Sequence, residues 1–331
     1  MPGIETPDPP AAWLALAATE RGAAHVATGL PNQDAVAAFP IDGGAVAAVA
    51  DGHGHRRHFR SDRGSRLAVA VAGEAAQELA GRLDGLAAGQ IEAEAEGVLV
   101  PALAGRWRAA VAQDVEDDPL TAAEAASQAA TGDSAVIAYG STLLVAVAWR
   151  QWLVLAQIGD GDIVAIRAGG GALLPVPIDP SLDGRQTTSL CEPRAADEFR
   201  VAVVNTVRTP LSAVMLATDG YGNAQPARPW ADPFSADLAG LLAAHDPEWL
   251  ASQLPRWAQR SAARDGSGDD TTIALLLAPV GAGPGPGPGP EPAPGGPGPA
   301  GPEADEPGPR HAAGRALPFW RRRGRPGGQP R

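Results

Sequence analysis

The chain of 331 residues contains no lysine, and all 26 of its basic residues are arginines. It has one cysteine, Cys191, two methionines and two tyrosines, and aromatics make up only 5%. A single cysteine excludes an intramolecular disulfide and a cysteine zinc cluster. So few aromatics leave Ala, Val and Leu to fill the core. Long apolar runs are missing too: the stretch 143–149 falls far short of the ~20 residues that a membrane span needs. The opening Met-Pro-Gly-Ile-Glu-Thr-Pro-Asp lacks the basic region and apolar stretch of a signal peptide. The expectation is a cytoplasmic protein without a membrane span. No internal repeat with a period of about 20 to 50 residues is present.

Acid, glycine and proline are in excess. Asp and Glu number 38 against the 26 arginines, a net charge of −12, and there are 41 Gly and 33 Pro. Residues 281–309 hold ten Gly and eleven Pro among 29 positions. No Gly-X-Y period persists there, which excludes collagen, and nothing apolar is available to bury. Three parts are therefore expected: a body over 1–280, a disordered Pro/Gly-rich linker over 281–310, and a disordered basic tail over 311–331. The tail carries Arg315, Arg321, Arg322, Arg323, Arg325 and Arg331 around Leu317-Pro318-Phe319-Trp320. Beyond residue 280 lie seven arginines and four acids, so the body keeps 34 acids against 19 arginines, a net charge of −15. Such a body argues against nucleic-acid binding.

Within the body, β-prone runs at 12–19, 35–39 and 45–50 precede a helical pattern over 63–83. Further helices are expected over 91–113 and 121–130. The texture then turns to strand at 141–149, 152–158 and 162–167. The joints Arg150-Gln151 and Gly159-Asp160-Gly161 are short enough for hairpins, so an antiparallel meander is expected. Residues 168–197 read as an irregular excursion. Strands at 199–204 and 213–217, helices at 235–244 and 247–263, and a strand at 271–277 complete the body. Blocks of antiparallel strand with helices grouped between them indicate an α+β layered domain.

The informative feature is where the acids lie. Asp51, Asp219 and Asp269 each sit at one end of a β-prone run, Asp34 lies just before another, and Asp160 lies between two. Carboxylates held on strand ends can converge on hard cations, since Mg2+ and Mn2+ prefer oxygen ligands and keep waters. Taken singly, though, Asp-Gly is a common turn dipeptide that needs no metal to explain it.

The ordered set carries more than its members. Asn32-Gln33-Asp34, Val49-Ala50-Asp51-Gly52-His53-Gly54, Gly140-Ser141-Thr142-Leu143, Ile158-Gly159-Asp160-Gly161-Asp162, Ala217-Thr218-Asp219-Gly220 and Asp269-Asp270-Thr271-Thr272 occur in this order. With the opening Arg21-Gly22-Ala23-Ala24-His25, the series resembles the type 2C metal-dependent Ser/Thr protein phosphatases, in particular their compact bacterial branch. The resemblance spans about residues 15–278. It implies a four-layer α/β/β/α sandwich of two antiparallel sheets flanked by helices. It also implies hydrolysis of phosphoserine and phosphothreonine by a metal-activated water, with two Mn2+ or Mg2+ ions per site.

Carried over position by position, Asp51 would bridge both ions and the Gly52 carbonyl would bind one. Asp219 and Asp269 would complete the other ion's ligands, and Asp34 would hold water beside them. His53 would stand by the leaving oxygen as general acid. Asp160 and the Gly-Ser-Thr turn match positions of structural role, and 168–197 matches a flap beside the active site. The partners implied are phosphoprotein substrates of a Ser/Thr kinase, acted on by a monomer. Two positions depart from the pattern: Gln33 stands where much of the family has a glutamate ligand, and Gly29 where much of it has a phosphate-clamping arginine. Arg21, His25, Arg56 and Arg57 are the candidate substitutes for that arginine. Asp133 is the nearest match to a further acidic ligand. The two departures also leave open another class, a catalytically weakened regulatory or binding module.

Overall fold

The computed structural model describes residues 12–179, 182, 187–226 and 229–279. The linker and tail expected over 281–310 and 311–331 lie outside them. In chain order the strands are β1 (Leu14–Glu20), β2 (Ala35–Ile41), β3 (Gly44–Ala50), β4 (Leu143–Trp149), β5 (Trp152–Ile158), β6 (Asp162–Arg167), β7 (Ala172–Leu173), β8 (Arg200–Asn205), β9 (Leu211–Ala217) and β10 (Thr271–Leu277). The helices are α1 (Ala23–Thr28), α2 (Ser61–Ala80), α3 (Ala88–Glu94), α4 (Val100–Asp117), α5 (Ala122–Thr131), α6 (Asp219–Asn223), α7 (Ala231–Ala244) and α8 (Pro247–Ala262). Among the described residues no helix is long and apolar enough to cross a membrane.

The strands form two antiparallel sheets, ordered β1-β10-β9-β6-β7 and β2-β3-β4-β5-β8. β3, β4, β5 and β10 are buried along their whole length, so both faces of each must be apolar. The period-2 geometry of a strand divides them cleanly. On β3, Ala45, Ala47 and Val49 pack with Val214, Leu216, Ala274 and Leu276 of the opposite sheet. Val46, Ala48 and Ala50 join the layer made with α2 and α4. Alanines on the facing sides let the sheets stack closely, which is how a core poor in aromatics is filled. α2 lies over β2, β3 and β4, while α8 covers β1 and β10 and α7 covers β6 and β7. The result is the four-layer α/β/β/α sandwich that the resemblance implies.

Local sequence explains the smaller features. Thr121 caps α5, its Oγ1 accepting from the Glu124 N–H at 3.3 Å while Glu124 Oε2 accepts from the Thr121 N–H at 2.8 Å. The single helix expected over 91–113 is instead α3 and α4 joined by a π-helical turn, Ala95–Leu99. Pro101 explains the break, since proline fits a helix start but has no N–H for the preceding turn. α1 was not foreseen, because six residues are too few to show a helical period.

The expected meander is corrected at one joint. β4 and β5 do form a hairpin, with Arg150 at φ 49 and its guanidinium 4.4 Å from the Trp149 ring. β6, however, belongs to the other sheet and pairs with β7 and β9. The segment Gly159-Asp160-Gly161 therefore crosses between sheets. Gly159 makes the crossing at φ 102, a conformation that favours glycine. The register signals for a hairpin and for a crossing are alike over three residues, so the sequence could not separate them.

Trp107 is fully buried, and its Nε1–H donates to the Gly64 carbonyl at 2.9 Å, tying α4 to α2. Trp107→Ala should lower folding stability by about 3–5 kcal/mol, read as a shifted denaturation midpoint with an unchanged slope. A loss below about 1 kcal/mol would contradict this packing.

Candidate active site

Antiparallel register gathers the strand ends. In one sheet Ala35 pairs with Ala50, so Asp34 and Asp51 emerge at the same end. In the other, Ala217 pairs with both Asp162 and Ile273. That brings Asp219, the 269–270 pair and the Asp160 crossing together. The sheets are joined at this end by Thr218. Its Oγ1 donates to Asp34 Oδ2 at 2.8 Å and accepts the Thr272 N–H at 2.9 Å.

The segment after β3 is held from both sides. The Asp51 N–H donates to Thr142 Oγ1 at 3.0 Å, and the Asp51 carbonyl accepts from Ser141 Oγ at 3.0 Å and from the Thr142 N–H at 2.9 Å. The Gly52 and His53 N–H groups donate to the Gln33 and Gly140 carbonyls, each at 3.1 Å. A Cβ at position 52 would stand 2.6 Å from the Ser61 carbonyl oxygen and 2.7 Å from that of Gln33. Only glycine fits there.

These elements enclose a cleft of about 650 Å3 lined by five aspartates, Asp51, Asp160, Asp219, Asp269 and Asp270, together with Glu192. Gly52 and His53 line it as well. Asp34 does not; it lies beneath, 6% exposed. Asp34 Oδ1 and Gln33 Oε1 are buried with no hydrogen-bond partner among the described residues. The electrostatics follow from crowding. Burial first, then the charges of Asp34, Asp219, Asp269 and Asp160, push the Asp51 carboxyl well above its usual range. Burial does the same to Asp34, with Asp270 and Asp219 adding to it. Asp219 is pushed up to about 6 by burial, Asp160 and Asp269. Burial and the neighbouring His58 pull His53 down to about 4, so its ring is neutral at pH 7.

Hard oxygen donors, mutual repulsion and unpaired buried acceptors together fit a divalent cation. Among the described residues, no three His, Cys, Asp or Glu side chains close into a ready-made ligand cage. Mg2+ and Mn2+ do not require one, because Mg2+ binds through one or two carboxylates and keeps several waters.

Three features of the cleft go beyond the sequence reading. Asp160 lines the cleft, because its segment crosses between sheets rather than turning back; Thr187 Oγ1 donates to its Oδ1 at 2.8 Å. Asp270, read only as the neighbour of Asp269, organises the opening motif. It accepts the N–H groups of Gly22 and Gln33, each at 2.6 Å, and lies 2.8 Å from His25 Nδ1. Four histidines, His25, His53, His55 and His58, share the cleft. The motifs already name His53 and His25 in the sequence; for His55 and His58 the spacing His53-x-His55-x-x-His58 is the available signal.

The remaining candidates are sorted by geometry. Gly29 ends α1 at φ 74, with nothing within 4 Å of where a Cβ would stand. Arg57 binds Asp133 through Nε at 2.8 Å and Nη2 at 2.5 Å. That pairing holds Asp133 down at about 2, and Asp133 does not line the cleft. Arg21 Nη1 donates to the Leu30 carbonyl at 3.2 Å. Cys191 lines the cleft as a buried thiol that burial pushes up.

The sequence pattern of the protein phosphatase 2C family matches residues 21–257; Asp269 lies past that span. No curated protein matches the chain in sequence. Solved structures share the fold, among them the following three. A bacterial serine phosphatase is 13% identical, with a TM-score of 0.51 over 80% of this chain and 96% of its own. The Ser/Thr phosphatase Stp1 from Staphylococcus aureus is 15% identical, with a TM-score of 0.52 over 80% of this chain and 94% of its own. A sex-determining protein of C. elegans is 17% identical, with a TM-score of 0.52 over 80% of this chain and 64% of its own. At such identities the likeness establishes the fold, and the family match carries the activity. The chain belongs to the protein phosphatase 2C family and is a protein-serine/threonine phosphatase.

Proposed function

We propose that hydrolysis depends on Mn2+ or Mg2+, two ions per site, held by the Asp51 and Asp219 carboxylates, the Gly52 carbonyl and the Asp269 carboxylate. The substrates are phosphoserine and phosphothreonine proteins modified by a Ser/Thr kinase. The observation that carries this reading is the cleft lined by five aspartates and, among the described residues, by no arginine. A bound divalent ion supplies charge stabilisation at the phosphoryl oxygens and a more acidic water.

The chain's own groups do the rest. Asp34, tied to Thr218 at 2.8 Å through Oδ2, keeps Oδ1 free to orient a water molecule. The clamped segment 51–53 fixes Asp51 and Gly52 relative to each other. His53 is the candidate proton donor to the leaving Ser or Thr oxygen. Its ring is neutral at pH 7 in the ion-free cleft, so the donor role depends on the bound phosphate's charge drawing a proton onto it. Gln33 contributes a neutral amide, a weaker ligand than a carboxylate.

Two outcomes follow. Purified protein should hydrolyse p-nitrophenyl phosphate with millimolar Mn2+, lose the activity in EDTA, and lose at least about 100-fold with Asp219→Asn. No release from this ester or from a phosphothreonine peptide would support the weakened regulatory module instead.

The second outcome concerns stability without ions. Asp219 has a folded-state pKa of about 6, above its reference value of 3.8, so the folded chain holds that proton more tightly. The stability it gives is fully present below 3.8 and lost as the pH rises through about 6. In EDTA at pH 7.5, Asp219→Asn should therefore be more stable than the parent, by up to about 3 kcal/mol. The gap should close toward pH 4, and saturating Mn2+ at pH 7.5 should reverse the order. Equal melting of the two proteins in EDTA at pH 7.5 would contradict the described crowding.

A further inference from the structure

A phosphate entering a cleft walled by carboxylates needs hydrogen-bond donors as well as cations. Arginine is well suited to that task, yet no arginine lines this cleft among the described residues. Arg57 is paired with Asp133, and position 29 is a glycine. Imidazole is what the cleft offers instead.

Its four histidines are not equivalent. His53 and His58 crowd each other, with ring centroids 5.0 Å apart, and His58 Nδ1 lies 2.5 Å from the Ile137 carbonyl oxygen. His55 Nδ1 accepts the Arg57 N–H at 3.3 Å. His25 alone has a carboxylate behind it: Nδ1 is 2.8 Å from Asp270 Oδ2. Asp270 is 4% exposed and is fixed by the Gly22 and Gln33 N–H groups. Asp270 already accepts from two backbone N–H groups, so His25 Nδ1 is placed to donate to the same carboxylate. His25 Nε2 has no partner among the described residues, and its side chain is 14% exposed.

From this geometry we infer that His25 is the side chain through which the enzyme grips the phosphate of its substrate, and that Asp270 is the positioning residue that holds it. The inference rests on the phosphatase reading of the cleft. The hydrogen bond balances in either proton state. A phosphate monoanion donates its O–H to Nε2, or a dianion accepts from Nε2–H of the imidazolium; the same single proton lies between them. Asp270 offsets the ring's charge from the far side, which an unsupported histidine would lack.

The test is binding of inorganic phosphate to the full chain saturated with Mg2+, read by calorimetry, for the parent, His25→Ala and His25→Arg. His25→Ala should weaken phosphate by at least about tenfold, the size of one charge-assisted hydrogen bond. Its Mg2+ affinity should be unchanged, and its KM for p-nitrophenyl phosphate should rise in parallel while kcat stays within about threefold. His25→Arg should recover most of the phosphate affinity. Phosphate affinity unaltered in His25→Ala, or Mg2+ affinity falling with it, overturns the inference. A measurement on the parent alone guards against a variant that fails to fold. The His25 Nε2 resonance of 15N-labelled protein should move on phosphate saturation, and a resonance that stays still also overturns the inference. Binding is read without turnover, so a parent that hydrolyses nothing contradicts the proposed function and leaves this test intact.

Discussion

Repulsion among carboxylates is the constraint around which this molecule is arranged. Two unit charges about 4 Å apart repel by about 4 kcal/mol at an effective dielectric constant of ~20, several times the net worth of one hydrogen bond. Asp51, Asp160, Asp219, Asp269 and Asp270 line one cleft, with Asp34 directly beneath. No single loop could hold such a group against that force. Two sheets packed face to face can, because each acid is anchored at the end of a strand whose burial is worth far more than the local penalty.

The details show how the load is distributed. Asp51 is fixed by bonds from its backbone to the 140–142 turn. Thr218 ties the sheets together by donating to Asp34 and accepting from Thr272. Asp270 is held differently. Its carboxylate is consumed by the opening motif, and it converts the loop between β1 and β2 into a wall of the cleft. Adjacent acids in one sequence motif thus do opposite work: Asp269 faces the cleft with an exposed side chain, and Asp270 is buried as a structural acceptor.

Much of this was legible in the sequence. Strands buried on both faces announce themselves as Ala-Val-Leu runs, and acids at their ends stand out against them. Six short motifs in order then carried the resemblance that implied the sandwich and brought Asp34, Asp51, Gly52, His53, Asp219 and Asp269 to notice. What stayed hidden depends on partners far away in the chain. Whether Gly159-Asp160-Gly161 turns back or crosses is decided by which strand β6 pairs with, about fifty residues later in β9. That His25 meets Asp270 reflects the pairing of β1 with β10, at opposite ends of the body. No local spacing encodes either contact.

The central claim is that the carboxylate cleft is a cation site, and diffraction tests it most directly. Crystals grown in millimolar Mn2+ should show two anomalous peaks in the cleft, with Asp51 between them and Asp219 and Asp269 beside one. A cleft without anomalous density at that concentration, its aspartates paired only with water or with one another, would contradict the account.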